Sequence, residues 1–174
     1  MTAAQNTAAP GTLAATVSDN TAYAAMARFA TRPIKLYVGY EHMNFANPRD
    51  PLPNGTMTIG GYVLSAINNT AFTINKVLQY AWVGARYSIT ESFDLTGAYY
   101  QFRQNSYNAN GCSDNSAGSC SGRYHVASMV ADYKLSSRFD VYAGFNYSRA
   151  VAGMSAGFLN THNWTSMLGG RFSF

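Results

Sequence analysis

The connections in this chain alternate strictly between very short and very long. Seven segments show apolar and polar residues with a period of two, the pattern of a half-buried strand. They cover roughly 23–30, 34–45, 76–90, Phe93–Gln104, 124–135, 138–148 and 162–174. The short connections are "TRP", "ES" and "SS". The long ones are "ANPRDPLPNGTMTIGGYVLSAINNTAFTIN", "NSYNANGCSDNSAGSCSGR" and "RAVAGMSAGFLNT". In an up-and-down antiparallel sheet this order puts every tight turn at one end and every long loop at the other. Outer-membrane barrels have that asymmetry, with tight periplasmic turns and long external loops. Most of the segments run about 9–13 residues, against ~5–6 for an ordinary globular strand. A tilted membrane-spanning strand needs that length.

The two faces agree with this reading. In "RFDVYAGFNYS", Phe139, Val141, Ala143, Phe145 and Tyr147 form one row, aromatic at both ends and aliphatic between. Lipid selects that order, because rings favour the two interfaces and aliphatic groups the hydrocarbon. The row repeats as Ala127, Met129, Ala131 and Tyr133, as Ala81, Val83, Ala85 and Tyr87, and from Trp164 through Leu168 and Gly170 to Phe172 and Phe174. Tyr87, Tyr133, Phe139, Tyr147 and Trp164 are therefore expected in lipid-facing aromatic girdles.

The opposite face takes the charges. Lys35, Glu41, Arg86, Asp94, Asp132, Lys134, Arg138, Asp140 and Arg171 share it and are expected to line a pore, with Arg28 and Lys76 on the same side. Arg103 stands as the exception, at the loop end of its strand. A lattice of salt bridges that holds the wall, such as Asp132 with Arg138, is the plainer role for these groups. Tyr37, Tyr80, Tyr100 and Tyr142 also face this way, as general wall packing or as a track for sugars.

Composition narrows the alternatives. Only 11% of the 174 residues are charged, against about 25% in a soluble domain. Tyrosine (13) and phenylalanine (10) are abundant, yet mean hydropathy is only −0.15. No apolar run approaches the ~20 residues of a spanning helix. The first twenty residues have neither a basic region nor an apolar core, so they do not read as a secretory signal. Residues 1–21 read as a flexible external-loop remnant, and 22–174 as barrel. The net charge of +4 comes without a basic run, which argues against nucleic acid. Cys112 and Cys120 sit close together in "CSDNSAGSC". A disulfide that pins an external loop fits an oxidising compartment; two free thiols are the alternative. Nothing suggests a metal, a cofactor or an enzyme. His125 and Ser128 point to opposite faces, and "TIGGY" lacks the lysine and helix of a phosphate loop.

The blocks "LYVGYEHMNFANPRDPL", "TIGGYVLSAINNTAFTINKVLQYAWVGARYSIT", "FDLTGAYYQFRQNSY", "GCSDNSAGSCSG" and "VADYKLSSRFDVYAGFNYSR" resemble, in order and spacing, the general porins of β-proteobacteria of the Burkholderia type. The resemblance covers about residues 23–174. It implies an all-β, antiparallel transmembrane barrel of about sixteen strands, of which this chain carries about the last seven, as the C-terminal half. It implies an outer-membrane, water-filled channel for passive diffusion of ions and small hydrophilic solutes, homotrimeric at full length. Partners are then membrane lipid and the barrel-assembly machinery. The closing "GGRFSF" looks like the terminal strand that this machinery reads, with Phe172 and Phe174 as the signal. The constriction loop of the family falls outside this chain. A small closed barrel acting as an anchor or adhesin is the alternative. An outer-membrane lipase or protease lacks a visible Ser/His or Asp/His constellation.

Overall fold

The computed structural model describes residues 19–49, 55–59, 61–67, 72–107 and 117–174. They form an all-β fold: β1 (Asp19–Thr31), β2 (Ile34–Ala46), β3 (Gly55–Ile59), β4 (Tyr62–Ile67), β5 (Lys76–Ser88), β6 (Phe93–Gln104), β7 (Gly122–Lys134), β8 (Phe139–Ala152) and β9 (His162–Phe172). A single 3₁₀ turn, Gly153–Ser155, is the only helical element among them. Seven strands make one antiparallel sheet in the order β1-β2-β5-β6-β7-β8-β9. The sheet is open, with β1 and β9 at its edges. β3 and β4 form a separate hairpin inside the first long connection, which alternation alone does not reveal.

All seven expected strands are present, and β6 has the expected ends. The others shift at one end or both, and β5 stops at Ser88, two residues short of the expected turn end. β1 begins at Asp19, β7 at Gly122, and β8 continues to Ala152. β9 stops at Phe172, so Phe174 lies beyond the strand, and the Ser173 N–H donates to the Arg138 carbonyl at 2.8 Å. Arg138 itself precedes β8 and belongs to a turn, not to the charged row of that strand.

Two of the short turns are built alike. In "ITESF" the Thr90 hydroxyl accepts the N–H groups of Ser92 and Phe93 at 3.2 and 3.0 Å. In "LSSRF" the Ser136 hydroxyl accepts those of Arg138 and Phe139 at the same distances. A short hydroxyl side chain that bonds its own backbone two or three residues on is what closes so tight a turn.

Register fixes the faces, because directly opposed residues project to the same side. One face carries Tyr23, Phe29, Leu36, Val38, Val83, Tyr87, Met129, Tyr133, Phe145, Trp164, Leu168 and Phe172, all exposed. The core is correspondingly thin. Among the described residues the buried hydrophobic side chains are Cys120 and Ala150, and no large side chain is fully buried. The sheet thus holds itself by its ladder and by cross-strand contacts, not by a packed interior. Where a ring must lie flat on the sheet, the partner strand offers glycine. The Trp82 indole occupies the space above Gly39, and the Tyr142 ring the space above Gly169. A side chain at either glycine would displace the ring.

Candidate functional site

The polar face carries its charges next to the short turns. Lys35 on β2 stands opposite Arg86 on β5. The Arg86 guanidinium pairs with Asp94 on β6, which also accepts the Ser88 hydroxyl at 2.5 Å. Asp94 stands opposite Asp132 on β7. Two carboxylates so placed repel unless cations flank them, and here they do. Arg171 on β9 reaches Asp132 at 3.6 Å and grips Asp140 on β8, its Nε donating to Oδ1 at 3.2 Å and a terminal nitrogen to Oδ2. Bidentate arginine–carboxylate pairing of this kind fixes geometry as well as charge. Lys134 stands opposite Asp140.

The result is a belt of mixed charge across five strands, from Arg86 to Arg171, in which cations flank the carboxylates. The carboxylates are its sheltered members: the Asp94 and Asp140 side chains are 8% and 10% exposed, against 64% for Arg171. Beside the belt a cleft of about 630 Å³ opens between Lys35, Arg86, Asp94, Lys134, Thr31 and Glu91. Water and small ions fit it. The Asp132 partner is therefore Arg171 and not Arg138. Glu41 shares the polar face but lies further along, opposite Tyr80.

Replacing Arg86 by glutamine is expected to leave two opposed acids with one cation fewer. An unpaired, sheltered carboxylate costs about 1–3 kcal/mol. The midpoint of urea unfolding in detergent micelles should fall accordingly, and D94N in the same chain should recover much of the loss. An unshifted midpoint for R86Q would mean that the belt contributes nothing to the stability of the sheet.

Beyond the belt the same face turns aromatic. Tyr80 stacks between Trp82 and Phe102, with centroids at 4.8 and 4.2 Å, and lies 6.3 Å from Tyr100. Phe102 meets Tyr124 at 6.1 Å. Tyr37 sits apart, with the Arg28 guanidinium 5.8 Å over its ring. The tyrosines expected on this face are all on it by register. Only Tyr80 and Tyr100 join the cluster, while Tyr142 lies among the charges.

The girdle residues also share one face. Tyr87, Phe93, Tyr133, Phe139 and Phe172 mark the turn end of the apolar face, and Phe139 stands opposite Phe172. Tyr99, Tyr147 and Trp164 mark the other end, Tyr147 and Trp164 at 4.4 Å.

Three features escape the sequence pattern. Gln104, 5% exposed, donates from Nε2 to the carbonyls of Gly118 and Cys120 at 2.7 and 2.9 Å and so anchors the returning loop. Cys120 is buried beneath it; Cys112 lies outside the described residues, and the expected disulfide with it. Arg103 is also not alone on the apolar face, because Arg123 and Arg149 share it. Both lie in strand extensions past the periodic segments.

No group of three or more His, Cys, Asp or Glu placed to hold a metal occurs among the described residues. No helix among them is long and apolar enough to cross a membrane, which says nothing of strands. No protein-family model matches the chain, and no curated protein does.

Proposed function

We propose that the chain forms part of the wall of an outer-membrane porin, a water-filled barrel that passes ions and small hydrophilic solutes down their gradients. The observation that carries this reading is the division of one sheet into two unlike faces. One is apolar, exposed and edged by aromatic rows at both ends. The other holds the charge belt and the cleft beside it. From Phe139 to Tyr147 the apolar row covers about 27 Å along the strand, which strand tilt reduces to near the height of the apolar band of such barrels. In water an apolar face this wide is a liability; against acyl chains it is the stable arrangement.

On this reading the belt faces water, supplies a field of mixed sign, and performs no covalent chemistry. The porin resemblance of the sequence blocks points the same way, towards an outer-membrane location and a trimer of closed barrels. The remaining strands of the barrel come from outside this sheet.

The two tryptophans test the division directly, since Trp82 is on the polar face and Trp164 on the apolar one. In phosphatidylcholine bicelles, W82F leaves Trp164 as the sole reporter and W164F leaves Trp82. Brominated acyl chains should quench most of the Trp164 emission and little of the Trp82 emission, with acrylamide doing the reverse. Equal quenching of both by bromine, or none of Trp164, would overturn the membrane-wall reading.

A further inference from the structure

Above the second aromatic row the apolar face changes character. Arg103 on β6 stands directly opposite Arg123 on β7. One step towards the middle of the sheet, His125 on β7 stands opposite Arg149 on β8, and Arg149 opposite His162 on β9. The three arginines are exposed. Like charges directly opposed in a sheet are destabilising, and among the described residues no counter-charge faces them. None of the three is in an ion pair among the described residues, and no carboxylate occurs on this face from β5 to β9 among them. The contrast with the belt is sharp, since there each opposed pair of like charges has a counter-charge beside it.

The cluster also has a definite height. It begins one step past Tyr99, Tyr147 and Trp164, where the apolar band ends. The Tyr99 hydroxyl and His125 Nδ1 lie 2.6 Å apart, which ties the aromatic row to the basic one. Arg103 and Arg123 line a shallow cleft of about 220 Å³ with Ser121, Gly122 and Val151. At the turn end the apolar-facing strand residues include no base. Charge of one sign, at one end, on the side that faces acyl chains, calls for an anion carried by the lipid itself.

We propose that Arg103, Arg123 and Arg149 form a docking site for the phosphate groups of an anionic lipid whose acyl chains lie along the apolar face below. The arginine fork suits phosphate oxygens, which accept two parallel hydrogen bonds. Adjacent strands lie about 4.8 Å apart, so side chains as long as arginine on three neighbouring strands can reach one headgroup. The inference rests on the membrane-wall reading, and its test separates the two.

The full chain in dodecyl maltoside micelles is titrated with phosphatidic acid or with phosphatidylcholine, and bound lipid is counted by native mass spectrometry. Phosphatidic acid should bind in preference. Each arginine near an anionic headgroup contributes roughly fivefold, so R103Q/R123Q/R149Q should lose about a hundredfold in phosphatidic-acid affinity. R123Q alone should lose about fivefold, and it carries the test if the triple variant loses its β-sheet signal. K76Q removes the same charge at the same end of the sheet but on the polar face, and should keep the preference. Equal binding of both lipids, a preference retained in R123Q, or equal losses in R123Q and K76Q would each overturn the docking site. Displacement of the lipid by millimolar inorganic phosphate would overturn its assignment to a lipid. Quenching of Trp164 by brominated chains without a headgroup preference sinks the docking site alone; loss of that quenching sinks the membrane wall and the docking site together.

Discussion

Loaded unboiled on an SDS gel, the 174-residue chain by itself is expected to run where the boiled sample runs. The reason is the open sheet. β1 has 13 residues and β9 has 11, and among the described residues neither has a neighbour on its outer side. Roughly half the N–H and C=O groups of an edge strand point away from the sheet. In hydrocarbon each unpaired group costs several kcal/mol, so the edges stay at the hydrated rim of a micelle or bicelle while the apolar face between them meets acyl chains. SDS resistance belongs to a wall whose ladder has no ends. In mild detergent the edges stay hydrated at the micelle rim, so the sheet persists there and dissolves in SDS. A faster-migrating band that converts on boiling would show that the edges are already paired, and would require a closed structure for this chain.

The second large effect separates neighbours in sequence. Met129 is 52% exposed on the apolar face, between Gly97 and Phe145, near the middle of β7. Ser128 is on the polar face, between Ala98 and Asn146. M129R places a cation at the centre of the apolar band, where it costs about 2–4 kcal/mol. The ratio of folded to unfolded chain in phosphatidylcholine bicelles should fall about 30- to 1,000-fold, read from the β-sheet circular dichroism across a urea titration. S128R puts the same charge into water and should stay within about 0.5 kcal/mol of the parent. Similar losses in the two variants would mean that the faces do not meet different solvents.

Most of the sheet was legible because alternation records a contrast between two environments. Between the two aromatic rows that contrast is strong, and β6 could be read to its ends. Past the second aromatic row the lipid-side face turns basic and polar while the other carries Phe102, Tyr124 and Ala150, so the contrast reverses and fades while the ladder continues. Gly122 and Arg123 extend β7, and the stretch from Arg149 to Ala152 extends β8, by backbone pairing that leaves no trace in hydropathy. For that reason Arg103 looked solitary and its two companions went unseen. The β3–β4 hairpin was hidden inside a connection whose length suggested only loop.

The charged strand residues expected on one face share it by register, Arg138 excepted, but their partners were not legible. Arg171 and Asp140 are 31 residues apart and meet only through the β8–β9 register. Arg138 sits two residues from Asp140 in sequence, yet the "LSSRF" turn keeps it out of the belt. Gln104 carries no pattern at all, since its role depends on where the loop returns.

Six antiparallel pairings separate β1 from β9, so the two edge strands run in the same direction. On the proposed membrane-wall reading, parity then restricts what can complete the wall. An antiparallel closure requires an inserted block whose own outermost strands both run the opposite way, and such a block has an odd number of strands. A second copy of this sheet in the same membrane orientation has the right count but the wrong polarity, because its edges would meet these in parallel. The sheet is therefore directional: any block that closes it is selected by strand polarity before any side chain is consulted.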